Sequence, residues 1–210
     1  VSRKERITRE DIRDLTRIQD IDRLEKLVEL LHYKIGSPLS VNSLREDLQV
    51  SFETIESWLE TLVRVYYVYF LKPFSNKINR AIRKERKLYF WDWSTITDPS
   101  AKFENFSVSH FFKACDRWND FGIATAELCY IRDKEKREVD ILLLVNKKPF
   151  LLAEIKQRDT EVSPHLLRFA EMIGCDKLVQ IVNIPGTKKC IKRNGRLIYV
   201  VSPENIFSYF

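Results

Sequence analysis

Glycine is scarce, with five in 210 residues. None stands where a phosphate-cradling G-x-x-x-x-G-K-[ST] loop needs it, and Gly186-Thr187-Lys188 is only a fragment of one, so a nucleotide-binding module is excluded from this chain. His32, His110 and His165 are isolated from one another, and Cys115, Cys129, Cys175 and Cys190 form no C-x-x-C pair. Those spacings argue against a zinc site or a disulfide framework and lead us to expect free thiols in a reducing cytoplasm. Long apolar runs are missing too. The longest are Ile141 to Val145 and Val63 to Leu71, the second broken by Arg64, against the roughly 20 residues that span a bilayer. Val1 to Arg23 is crowded with charge, so a secretory signal is not expected.

What is present suits a folded chain of one large or two small domains. Hydrophobic residues make up 44% and charged residues 31% of the sequence. The 36 Lys and Arg exceed the 30 Asp and Glu by six, with a pI near 9.1. That balance favours polyanionic partners, although an acidic small molecule or simple solubility would suit it as well.

In the N-terminal half, Ile21, Leu24, Leu27, Val28, Leu30 and Leu31 recur at helical spacing, and Gly36-Ser37-Pro38 ends the helix. Ser40 offers an N-cap for a second helix through Leu48, and Ser51 for a third that turns Ile55, Leu59 and Leu62 inward. Tyr66 to Leu71 then reads as a strand bounded by Pro73. Helix, helix, turn, helix, strand is the order of a winged helix. Glu53, Glu56 and Glu60 recur along its third helix, opposed only by Arg64, and a carboxylate row is repelled by phosphate. A protein-contact or structural role is therefore expected ahead of major-groove reading. The following Lys77, Arg80, Arg83, Lys84, Arg86 and Lys87 suit a solvated linker or a set of phosphate contacts. Leu88 to Trp93 is an aromatic strand, buried or available for base stacking.

In the C-terminal half, Ala101 to Arg117 carries an apolar helical face with Glu104 near its start, where a carboxylate also suits the helix dipole. Strands are expected over Thr125 to Ile131, Val139 to Val145 and Phe150 to Ile155, then a helix from Ser163 to Ile173 stopped by Gly174. Another strand covers Lys177 to Val182, and a hairpin turns at Asn194-Gly195. This pattern is α/β (α+β), with a central mixed sheet flanked by helices.

The turn chemistry of Asn146-Lys147-Lys148-Pro149 folds the second and third of these strands back as an antiparallel hairpin, with facing positions summing to about 294–295. Asp140 then sits beside Glu154. Glu154 and Lys156, two apart, share a face while Ile155 points into the core. Two carboxylates and an ammonium on one surface suit a hard divalent cation and phosphodiester hydrolysis, and equally suit a cross-strand ion pair at a sheet end.

The Asp140…Glu154-x-Lys156 arrangement, preceded by a helix bearing Glu104, resembles the active-site signature of the PD-(D/E)XK nuclease-like superfamily. A closer likeness is to the domain of unknown function that follows an AAA-type ATPase module in bacterial and archaeal proteins. It rests on Lys87-Leu88-Tyr89-Phe90-Trp91-Asp92-Trp93, Asp98-Pro99, Phe103-Glu104-Asn105, Tyr130-Ile131-Arg132-Asp133, Arg137-Glu138-Val139-Asp140 and Ala153-Glu154-Ile155-Lys156, with Asp11-Ile12-Arg13-Asp14-Leu15 like the junction after the ATPase.

The resemblance implies a winged-helix domain with a basic linker over residues 1–86 and a nuclease-like domain over 87–210, together forming the C-terminal part of a prokaryotic, cytoplasmic ATPase. It implies Mg²⁺ or Mn²⁺ held by Asp140 and Glu154, with the Ile155 carbonyl as a further ligand. Lys156 would orient water or stabilise charge, since its ordinary pKa of about 10.4 is too high for a base. Glu104 would be a metal or second-sphere group and Gln157 a phosphate or water contact. DNA or RNA would be held by Arg80, Arg83, Lys84 and Arg86 and by the cluster of Lys188, Lys189, Lys192, Arg193 and Arg196. An oligomer is compatible with the sequence. The alternative is a non-catalytic domain coupling the ATPase to a nucleic-acid or protein partner.

Overall fold

The computed structural model describes residues 20–74 and 86–209. The expected junction at Asp11 to Leu15 and the expected phosphate contacts Arg80, Arg83 and Lys84 lie outside these residues.

Local capping chemistry sets the first three helices. Asp20 accepts from Arg23 N at 3.1 Å and starts α1 (Ile21–His32), which buries Leu24, Leu27, Val28 and Leu31 on one stripe. Ser40 accepts from Ser43 N at 3.3 Å ahead of α2 (Val41–Leu48), and Ser51 from Thr54 N at 3.1 Å ahead of α3 (Phe52–Arg64). The strand expected from Tyr66 starts later, as β1 (Val68–Pro73), because Tyr66 takes a left-handed φ of 53° in the turn after α3.

The chain divides into two compact units, one running to Phe70 and including the segment that ends at Thr95, the other starting at Leu71 and resuming at Ile96. The boundary placed at residue 86 therefore falls inside the first unit. There β2 (Lys87–Phe90) lies beside β1 and is bridged to the α1–α2 loop, where Gly36 N donates to the Leu88 carbonyl and Leu39 N to the Arg86 carbonyl, both at 2.9 Å. Lys87, Leu88, Tyr89 and Phe90 are all buried, so the rings of Tyr89 and Phe90 are core rather than a stacking surface, while Trp91 and Trp93 beyond the strand are exposed.

The second unit is a mixed sheet with helices packed on it. Asp98 caps α4 (Pro99–Asp120) through Ala101 N at 2.7 Å, with Pro99 in its first turn, so the helix starts two residues before the expected Ala101. Then come β3 (Ala126–Arg132), β4 (Glu138–Val145), β5 (Lys148–Lys156), α5 (Pro164–Ile173), β6 (Leu178–Val182), β7 (Lys188–Arg193) and β8 (Arg196–Val201). The end of β1 pairs parallel with β3, and the order continues β3-β4-β5-β6-β8-β7. The β3–β4, β4–β5 and β7–β8 pairs are antiparallel, while β5–β6 and β6–β8 are parallel. Leu142, Leu144, Leu152, Leu178, Ile198 and Val200 bury one face against Leu166, Phe169 and Ala170 of α5. The alternating residues Ile141, Leu143 and Ala153 are equally buried on the other face, where α4 packs. Among the described residues no helix is long and apolar enough to cross a membrane.

Candidate active site

The site grows out of one tight turn. Asn146 and Lys147 have φ of 50° and 63°, so β4 and β5 are joined by a two-residue loop with both residues left-handed, the geometry that matches strand twist. Next to the loop, Leu144 faces Pro149 and Val145 faces Lys148. A bulge then shifts the register, and Ile141 faces Ala153 and Leu142 faces Leu152. Pro149, which has no N–H to give, sits at that irregularity. Continuing that register from Ile141 and Ala153 puts Asp140 level with Glu154, within the expected sum of about 294–295, and Asp140 Oδ2 accepts from Ile155 N at 2.9 Å.

Glu154 is only 4% exposed, and Lys156 Nζ lies 2.7 Å from its Oε1. A carboxylate buried that deeply is tolerated because a cation reaches it. Burial by itself pushes the Lys156 ammonium down, but the hydrogen bond it donates to Glu154 and the fields of Glu154, Asp140 and Asp159 outweigh it and hold its pKa above the ordinary lysine value. Lys156 is therefore a fixed ammonium in this state. Ile155 is buried between the two charged neighbours, with its N–H committed to Asp140.

Further ion pairs brace the approach to Asp140. Arg132 Nη1 meets Glu138 Oε2 at 3.0 Å across β3 and β4. In the loop between these strands, Arg137 Nε meets Asp133 Oδ2 at 2.7 Å, and Arg137 Nη2 meets Glu135 Oε2 at 2.8 Å. Every charged residue of the Arg132-Asp133 and Arg137-Glu138 strings is thus used to hold the hairpin mouth.

Gln180 is the residue that sequence reasoning missed. It faces Glu154 in the parallel β5–β6 ladder and is completely buried. Its Oε1 accepts from Ser163 N at 2.9 Å, and its Nε2 donates to the carbonyls of Asp159 at 2.9 Å and Glu161 at 2.7 Å. One amide thereby fixes the loop that follows Lys156 and places Asp159, whose charge acts on that lysine. The available signal was a lone amide inside Leu178-Val179-Gln180-Ile181-Val182, because a buried polar side chain needs partners.

The other candidates separate. Among the described residues no group of three or more His, Cys, Asp and Glu side chains can hold a metal ion, so Glu104, partly buried on α4, does not complete a three-acid set with Asp140 and Glu154. Gln157 Oε1 accepts from Asn183 Nδ2 at 3.4 Å. Arg86, in the first unit, holds both Glu56 oxygens at 3.2 and 2.8 Å and lies 4.5 Å over the Phe70 ring. Glu56 is therefore not part of an unopposed acidic row. Lys188 and Lys189 are exposed on β7.

A family model described as a domain of unknown function (DUF8612) matches residues 3–97. It ends next to Thr95, where the first unit closes, and the Asp140, Glu154 and Lys156 site lies outside it. No curated protein matches the chain.

Proposed function

We propose that the second unit is a PD-(D/E)XK nuclease-like domain that hydrolyses DNA or RNA phosphodiesters with Mg²⁺ or Mn²⁺, and that the first is a winged helix. The observation that carries this reading is the hairpin register, which brings Asp140 opposite Glu154 with Lys156 on the Glu154 carboxylate. Two carboxylates are an oxygen donor set of the size Mg²⁺ uses, since that ion keeps several waters and takes one or two acids from the protein. Asp140 and Glu154 would hold it, with the Ile155 carbonyl alongside and Glu104 outside the ligand set. When bound, such an ion polarises the phosphoryl group and acidifies a water. Lys156 contributes a positive charge that can orient the attacking water or offset charge on the phosphate, the role that suits a lysine with an ordinary pKa of about 10.4. The resemblance adds an upstream AAA-type ATPase module as partner and a prokaryotic cytoplasm as location.

Cleavage of mixed DNA and RNA substrates with Mg²⁺ or Mn²⁺ tests the proposal. Asp140→Ala and Lys156→Ala should each lower the rate by about 100-fold or more, the scale of losing one charged group that acts in the transition state. Activity that survives both substitutions would sink it. One observation favours a second reading, a binding or regulatory domain: the buried Glu154 is already neutralised by Lys156, which is sufficient reason for that pair without any metal.

A further inference from the structure

The register of the β7–β8 hairpin sorts a basic run that looks uniform in sequence. Lys188 faces Val201, Cys190 faces Tyr199, and Lys192 faces Leu197. Side chains alternate, so Lys188, Cys190, Lys192, Leu197, Tyr199 and Val201 share one face, while Lys189, Ile191, Arg193, Arg196, Ile198 and Val200 share the other. The second face is partly core, since Ile198 and Val200 are buried under the α5 cluster with Ile191 packed against it. The first is open beyond Val201, which is buried at its base: Tyr199 is 48% and Leu197 47% exposed, and Lys188, Cys190 and Lys192 are exposed as well.

Tyr199 is the centre of this face, with Cys190 directly opposite and Lys188 and Lys192 on its two diagonals, within reach of long side chains. No acid occurs from Lys188 to Val201. Lysines on β7 alone would be explained as protection of an edge strand. That does not account for an exposed aromatic on β8, which is paired on both sides, by β6 and by β7.

The base of the hairpin is anchored. Ser202 N and Asn205 Nδ2 donate to the Thr187 carbonyl at 2.9 and 3.2 Å, and Gly186 N donates to Glu204 Oε1 at 2.7 Å. At the other end Arg196 is bound to Asp176 and to the Cys175 carbonyl, so it is spent on holding the hairpin.

We infer that this face is a platform for single-stranded nucleic acid, on which Tyr199 stacks a base while Lys188 and Lys192 contact the phosphates on either side. Stacking takes any base and the lysines read only charge, so binding is sequence-tolerant and salt-dependent. The platform deepens the nucleic-acid reading of the nuclease-like site but does not involve its carboxylates.

The test is fluorescence anisotropy of the whole chain with a labelled 20-nucleotide oligo-dT and with a duplex of the same length, in EDTA across a salt series. Leaving out metal separates the platform from the hydrolytic site, because hydrolysis needs the ion and stacking on Tyr199 does not. Tyr199→Ala should weaken oligo-dT binding about tenfold, the usual effect of losing one stacked base, and Tyr199→Phe should stay within about twofold. Lys188→Ala and Lys192→Ala should each flatten the log–log salt slope by about 0.7, whereas Lys113→Ala on α4 should not. Melting curves check that each variant is folded. No binding by the parent chain, unchanged binding by Tyr199→Ala, or equal duplex affinity indifferent to Tyr199 would each overturn the inference.

Discussion

Gln180 shows how much of the site's order rests on residues that take no part in chemistry. Its amide satisfies one N–H and two carbonyls of the loop after Lys156, all from the strand position facing Glu154. Leucine at 180 would fill the volume but leave those three backbone groups without their partner, each costing about 1–3 kcal/mol where water cannot replace it. Because the loop can move toward solvent, we expect Gln180→Leu to lower unfolding stability by about 3 kcal/mol, the lower end of that sum, as measured by urea denaturation. A change within about 0.5 kcal/mol would mean the amide is not the clamp. This contribution was illegible in the sequence because it depends on which strand lies beside β5, and a parallel partner is chosen by long-range topology. Asp140, Glu154 and Lys156 were legible because their convergence needs only one local hairpin.

At the scale of elements, local signals located the helices and strands well. Asp20, Ser40, Ser51 and Asp98 all accept from a backbone N–H at the start of their helices. The misreadings have physical reasons. Tyr66 looked like strand from its aromatic neighbours, but the chain must reverse after α3, and that turn takes a left-handed residue. Lys87 to Phe90 looked like the opening of the second domain, yet it is bridged to the α1–α2 loop. The β4–β5 turn offers a direct test. Lys147 holds φ of 63°, a conformation costing a side-chain-bearing residue about 1 kcal/mol, while Asn-Gly is the preferred pair for such a loop. We expect Lys147→Gly to be neutral or to stabilise the chain by up to about 1 kcal/mol, since the unfolded-state entropy of glycine offsets part of the gain. Clear destabilisation would contradict the turn geometry that sets the site's register.

For the molecule as a whole, the mixed sheet with α4 and α5 packed on it was legible from the order of elements, because apolar alternation and helical periodicity are written residue by residue. That Glu104 does not complete a three-ligand metal group with the two hairpin carboxylates was not, since the way a helix sits on a sheet is decided by packing among distant residues such as Phe103, Val108 and Phe111. The site proposed for the metal is therefore a two-carboxylate one. Whether Asp140 and Glu154 hold a hard divalent cation is decided by titrating the chain with Mn²⁺ and following free ion by paramagnetic resonance. Asp140→Asn keeps an acceptor for Ile155 N while removing the charge, so the site should remain folded. The parent chain should bind Mn²⁺, and Asp140→Asn should weaken that binding by at least about tenfold, roughly 1.4 kcal/mol. Equal titrations of the two proteins, or no binding by either, would contradict it.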